Sequence, residues 1–202
     1  PGQRGGRPGQ LRIIGGRLRG RRLPVPEQRG LRPTTDRVRE TLFNWLAPDI
    51  IGSRCLDCFA GSGALGFEAY SRGAAHVLLV ERVGRVAARL EANAETLRAA
   101  TDGPSGRLEV IRADAIGWLD KSVPTPFDIV FLDPPFDSAL VAPACALLHQ
   151  GWLASDALVY IETPVNAPMP ALTDGWELVR ERTAGQVRYA LARVTAPRGD
   201  TH

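Results

Sequence analysis

Short apolar runs at residues 54–58, 76–80, 108–111, 129–132 and 157–162 alternate with longer stretches in which apolar positions recur at helical spacing. Brief continuous apolar runs bounded by polar residues suit strands buried on both faces of a parallel sheet. Between them, residues 64–72, 83–97, a short segment through Leu119 and 139–149 read as helices. Alternation of this kind predicts an α/β fold with a doubly wound, mostly parallel sheet. Residues 176–183 and 186–194 flank Gly185 and read as an antiparallel closing hairpin. Residues 101–106 and 165–170 read as loops.

Upstream, Val38, Leu42, Trp45 and Leu46 fall at i, i+4, i+7 and i+8, one face of an amphipathic helix capped by Thr35 or Asp36. Before it, Leu11-Arg12-Ile13-Ile14, then Gly15-Gly16, then residues 17–25 read as two short strands around a Gly-Gly turn. The expected division is a disordered basic tail over 1–10, a hairpin and loop over 11–35, an α/β domain over 36–196 and a short tail over 197–202.

Charge changes this picture. The whole chain of 202 residues is +3, but residues 1–40 hold eleven Arg against Glu27, Asp36 and Glu40, a net of +8, so the remainder is −5. Lys121 is the only lysine. A basic arm on an acidic body points to a nucleic-acid backbone, with Arg12, Arg17, Arg19, Arg21 and Arg22 projecting from the hairpin. Arg32, Thr34, Arg37 and Arg39 extend the candidate RNA surface to the start of the amphipathic helix, where arginines oppose the helix dipole.

With 44% hydrophobic residues the chain can bury a substantial core. No apolar run approaches the roughly 20 residues of a membrane-spanning helix and the start does not resemble a signal peptide, so a cytoplasmic monomer with no membrane partner is expected. Cys55, Cys58 and Cys145 are too few for a disulfide framework. Cys55-Leu56-Asp57-Cys58 spells C-x-x-C, but His76, His149 and His202 are scattered, so no metal is expected and both cysteines read as small apolar residues of a buried strand.

After that strand, Gly61, Gly63 and Gly66 match G-x-G-x-x-G, and Glu81 lies twenty residues on, at the end of the next strand, placed to accept from a ribose diol. Taken alone this is a dinucleotide signature. Asp57, however, puts an acid near the place of a pyrophosphate, and Asp114 follows the third strand, where a carboxylate can accept from an adenine amine. Asp57, Glu81, Asp114 and Asp133 on four strand ends favour a ligand with amino and ribose groups and no phosphate; S-adenosylmethionine fits, NAD does not.

The fourth strand ends on Asp133-Pro134-Pro135-Phe136. Neither proline can donate to a sheet and each fixes φ near −65°, so the turn is stiff and aims the Asp133 carboxylate, the Pro134 carbonyl and the Phe136 ring at the carboxyl edge. Those groups suit a planar amine on an aromatic base.

The order of these motifs resembles class I S-adenosylmethionine methyltransferases, and DPPF resembles the signature of enzymes that methylate exocyclic amines of bases. The strings RIIGGRLRGRRLPVP, LRPTTDRVRETLFNWL, LDCFAGSGALGFEA, VFLDPPF and AGQVRY are similar to the bacterial 16S rRNA guanine-966 N2-methyltransferase (RsmD) family, from Leu11 to Val194. The resemblance implies that Asp57, Gly61 and Gly63 line the methionine end of the cofactor, that Phe59, Ala60 and Asp133 also contact the cofactor, that Glu81 takes the ribose, and that Asp114 and the Ala115 amide take the adenine. It implies Asp133, Pro134, Pro135 and Phe136 as the catalytic turn, with 16S rRNA in the small subunit or a late assembly intermediate as partner. A DNA or protein amine methyltransferase, a nicotinamide enzyme and a non-catalytic RNA-binding factor are the rival readings.

Overall fold

The computed structural model describes residues 9–25, 34–101, 106–135 and 139–195. In chain order its elements are β1 (Gly9–Arg12), β2 (Arg22–Val25), α1 (Asp36–Leu46), β3 (Arg54–Asp57), α2 (Ala64–Ser71), β4 (His76–Glu81), α3 (Gly84–Ala99), β5 (Arg107–Arg112), α4 (Ala115–Lys121), β6 (Phe127–Leu132), α5 (Val141–Leu148), β7 (Leu153–Pro164), β8 (Trp176–Ala184) and β9 (Val187–Val194).

A seven-stranded sheet has the order β5-β4-β3-β6-β7-β9-β8. The five strands from β5 to β7 are parallel, and β9 lies antiparallel between β7 and β8. The chain winds outward from β3 through β4 to β5, then returns to the other side of β3 with β6. Connections leave β3 and β6 in opposite directions, which makes the carboxyl ends of these two strands the switch point where open α/β sheets bind ligands.

Alternation along each strand feeds two cores. Ile129 and Phe131 of β6 face α1, α2 and α3 among Leu42, Phe43, Phe67 and Leu90. Val130 and Leu132 face α4 and α5 among Leu119, Leu148 and Trp152. The expected helical face of α1 is present and Thr35 caps it, its hydroxyl accepting from the Val38 N–H at 3.3 Å. Trp45 is half-buried, its ring stacked on Tyr189 with centroids 5.4 Å apart.

The N-terminal hairpin exists, with Leu11 opposite Leu23, but it differs from expectation in three ways. β1 begins at Gly9, inside the segment expected to be tail. The Gly15-Gly16 pair is not the hairpin turn; it belongs to a longer connection lying on α2. There the Arg17 N–H donates to the Ser71 carbonyl at 3.0 Å and the Leu18 N–H to the Ser71 hydroxyl at 3.0 Å. Leu11, Ile13, Leu18 and Leu23 are buried in the same core as α1 to α3, so the hairpin packs as part of the α/β body. Two further bounds shift: β7 runs from Leu153 to Pro164, beyond the expected 157–162, and α5 starts at Val141 rather than 139.

Candidate active site

Four neighbouring strands bring acids to one edge: Asp57 closes β3, Glu81 closes β4, Asp114 follows β5 and Asp133 follows β6. Asp57 is buried, and its Oδ2 accepts from the Gly66 N–H at 3.1 Å, in the first turn of α2. Burial raises its pKa to about 7; backbone hydrogen bonds from Gly66 and Phe59 oppose the rise and the Glu81 charge adds to it. Asp57 therefore ties the glycine turn to α2 from within the fold.

Gly61 and Gly63 have φ of 52° and 80°, in the left-handed region that favours glycine. A Cβ on Gly63 would lie 2.3 Å from the Phe67 ring and 2.8 Å from Leu90, and one on Gly66 would lie 2.9 Å from Leu79. The later glycines thus permit close helix packing, while the turn itself stays open in sequence to a ligand. Glu81 fixes that turn from the neighbouring strand: its Oε2 accepts from the Gly61 N–H at 3.0 Å and its Oε1 from the Val83 N–H at 2.7 Å. Phe59 is half-buried and Ala60 buried beside it. Asp114 is the exposed N-cap of α4, accepting from the Gly117 N–H at 3.0 Å, with Ala115 buried behind it. Asp57 within the turn and Glu81 beside it place carboxylates where a pyrophosphate would otherwise sit; they can accept from hydroxyls and amines.

Asp133 is half-buried at the end of β6, Pro134 is buried and Pro135 exposed. The Thr34 hydroxyl donates to Asp133 Oδ2 at 3.1 Å. Burial pushes the Asp133 carboxyl well above the usual carboxylate range; the charges of Glu162 and Asp57 push the same way, and the Thr34 bond opposes them. Phe136 and Arg32 lie outside the described residues.

The basic residues divide. Arg12, Arg17, Arg19, Arg21, Arg22 and Arg37 are exposed. Arg12 pairs with Asp36 at 3.0 Å, and the Arg17 guanidinium lies 5.5 Å from the Tyr70 ring centroid. Arg39, expected on the RNA surface, is instead buried, its Nη2 on Asp36 at 2.7 Å and its Nη1 on Glu68 at 3.4 Å and on the Arg12 carbonyl at 3.0 Å. A guanidinium so enclosed is a brace between α1, α2 and the hairpin, not a surface contact. Thr34 faces Asp133 rather than the hairpin surface.

Two site residues escaped the sequence reading. Glu68 of α2, buried, receives the Ile14 and Gly15 N–H groups at 3.0 and 2.7 Å and so docks the hairpin. Glu162, buried on β7, is a fifth acid at the same edge. Its signal was an acid closing an apolar run, the same signal that marks Glu81. Cys55, Cys58 and Cys145 are free and buried, and among the described residues no group of three or more His, Cys, Asp or Glu could hold a metal ion. Among them also, no helix is long and apolar enough to cross a membrane.

The sequence model of the family described as Conserved hypothetical protein 95 matches residues 11–193. Ribosomal RNA small subunit methyltransferase D of Escherichia coli K12 is 52% identical over 184 residues, covering 91% of this chain and 89% of the relative. The protein of the same name from Haemophilus influenzae is 47% identical over 185 residues, covering 91% and 93%. The solved structure of a protein described as "Putative methyltransferase yhhF from Escherichia coli" superimposes with a TM-score of 0.85 at 48% identity, covering 94% of this chain and all of that one.

Proposed function

The chain belongs to the Conserved hypothetical protein 95 family, and from that premise we propose that it transfers a methyl group from S-adenosylmethionine to N2 of guanine 966 in 16S ribosomal RNA, within the small subunit or a late assembly intermediate. The observation that carries the reaction type is the Asp133-Pro134 turn at the switch point, on the edge where Asp57, Glu81 and Asp114 also end. The relatives named as ribosomal RNA small subunit methyltransferases support the substrate class.

S-adenosylmethionine, when bound, supplies an electrophilic methyl group on a cationic sulfonium. The residues fitted to hold it are the Phe59-Ala60-Gly61 turn with Gly63, the Glu81 carboxylate for ribose hydroxyls, and Asp114 with the Ala115 N–H for the adenine. Asp57 holds the shape of the turn from below through the Gly66 N–H.

The guanine 2-amino group is a poor nucleophile because its lone pair is delocalised into the ring. Asp133 and the Pro134 carbonyl can each accept one of its hydrogens, holding them out of the ring plane and freeing the lone pair. The Asp133 charge offsets positive charge as it grows on nitrogen, and its carboxylate can take the proton that the product must lose. Pro135 stiffens the turn, and Phe136 supplies a ring for the base to stack on. The base must leave its stack to reach this edge, at a cost of a few kcal/mol that RNA contacts offset. Arg12, Arg17, Arg19, Arg21, Arg22 and Arg37, with Arg32, give the phosphate-binding surface.

The test is labelled methyl transfer to small subunits that lack the modification, followed by mapping of the modified base. Label at guanine N2 is expected with the wild type and none with Asp133→Ala, whose cofactor affinity should stay within a few-fold. Transfer to DNA or protein in place of the subunit, or normal turnover by Asp133→Ala, overturns the reading.

A further inference from the structure

Glu162 is a buried acid that the roles above leave unused. β6 and β7 pair in parallel up to Leu132 with Ile161, so one step further the register carries Glu162 alongside Asp133. Neighbours across a parallel ladder share a face, and the same face one pleat earlier holds Phe131 and Tyr160, whose rings meet edge-on at 6.4 Å. The Tyr160 hydroxyl donates to Glu162 Oε2 at 2.9 Å, which fixes the carboxyl through one oxygen. Tyr189 of β9 stands opposite Glu162 on the other side, and Thr34 bonds Asp133. Among the described residues neither acid takes part in a salt bridge.

Two carboxyls side by side with no cation between them call for a proton or for a ligand with two adjacent N–H donors. Burial raises both groups above their ordinary values, Asp133 well above, which fits a pair that holds a proton until such a ligand replaces it. Guanine carries that pattern, N1–H beside the 2-amino group. Adenine and cytosine each place a ring-nitrogen lone pair beside the amine, and uracil has a single N–H between two carbonyls. Resting on the guanine-N2 reading above, we infer that Glu162 selects guanine, its carboxylate accepting N1–H while Asp133 accepts from the adjacent 2-amino group. The turn after β6 thus sets the reaction, and the end of β7 chooses the base.

The test compares small subunits reconstituted around 16S rRNA that carries guanine or 2-aminopurine at the target position. 2-Aminopurine keeps the amine but presents a lone pair at N1, facing Glu162. A site built to accept a hydrogen rejects an analogue that lacks it, so the wild type should prefer guanine by at least about 100-fold in kcat/KM. Glu162→Gln can donate its amide to that lone pair; it should slow guanine transfer and shrink the preference by about tenfold or more. Loss of O6 in the analogue is common to both enzymes and cancels in the comparison. Equal use of both bases by the wild type overturns the inference whatever the variant does. A preference unchanged in a Glu162→Gln protein that melts and binds S-adenosylmethionine normally overturns it as well, with the methyltransferase reading intact. A wild type that methylates neither base removes the guanine-N2 reading and this inference together.

Discussion

The Thr34 hydroxyl donates a 3.1 Å hydrogen bond to the Asp133 carboxylate, joining the segment before α1 to the end of β6 across 99 residues of sequence. It favours the charged form of Asp133, against burial and against the charges of Glu162 and Asp57. Removing it with Thr34→Val should therefore raise the Asp133 pKa further, so that the carboxylate forms only at higher pH. The acid limb of the kcat/KM profile is expected to move to higher pH, with a loss of about tenfold at neutral pH, the size of one charged hydrogen bond. Thr34→Ser should restore the wild-type profile. An acid limb that stays in place in Thr34→Val would separate this contact from the ionisation of Asp133.

Glu68 gathers four donors in a fully buried position: the Ile14 and Gly15 N–H groups, Arg72 Nε at 2.8 Å and Arg39 Nη1 at 3.4 Å. Glu68→Gln removes the charge that balances buried Arg39 and turns an amide toward donors. Breaking a buried pair this way costs about 3–5 kcal/mol, or about 10 °C in Tm for a chain of this size. Hydrogen exchange should report the place of the loss, with the Ile14 and Gly15 amides losing protection before those of β3 and β6.

Much of this arrangement was legible because local pattern and local structure coincide. The apolar runs of β4 and β6 end on Glu81 and Asp133, and the glycines between β3 and α2 sit where φ is positive, so the four acids could be placed on one edge from spacing alone. Arg39 could not be read this way. An arginine in the first turn of an amphipathic helix ordinarily points to solvent, and its burial here depends on Glu68, 29 residues away on another helix. Gly16 reads from sequence as a turn glycine. Its φ of 75° does turn the chain, but a Cβ there would also lie 2.0 Å from the Ser71 carbonyl oxygen, so glycine is required by tertiary approach as well. Glu162 closes an apolar run as Glu81 does, but that signal does not say which acid it lies beside; its place next to Asp133 follows from the β6–β7 register.

Arg19, Arg21 and Arg22 are exposed, and their side chains take part in no salt bridge among the described residues. Replacing all three with alanine should leave Tm within about 1–2 °C, since exposed charges contribute little to stability. Binding to the small subunit should weaken, and the slope of log K against log salt should flatten by about 2–3, as three phosphate contacts release their counterions. An unchanged slope would make the hairpin a structural element alone.

Asp57 provides a pH test of the buried edge. Its pKa in the folded protein is about 7 against an ordinary 3.8, so between those values the folded state holds a proton that the unfolded chain has lost. The sign follows: the stability linked to Asp57 is complete below about pH 4, declines as pH rises through the folded pKa and is flat above it. A shift of about three pH units corresponds to about 4 kcal/mol. Asp57→Asn keeps an oxygen that can accept from the Gly66 N–H but cannot ionise, so it should not share this decline. Subtracting the two urea-unfolding series over pH 4 to 8 isolates Asp57 from Asp133 and Glu162, which titrate in both proteins. The difference is expected to grow in favour of Asp57→Asn as pH rises, and a difference independent of pH would mean that the Asp57 carboxylate is ionised in the fold without penalty.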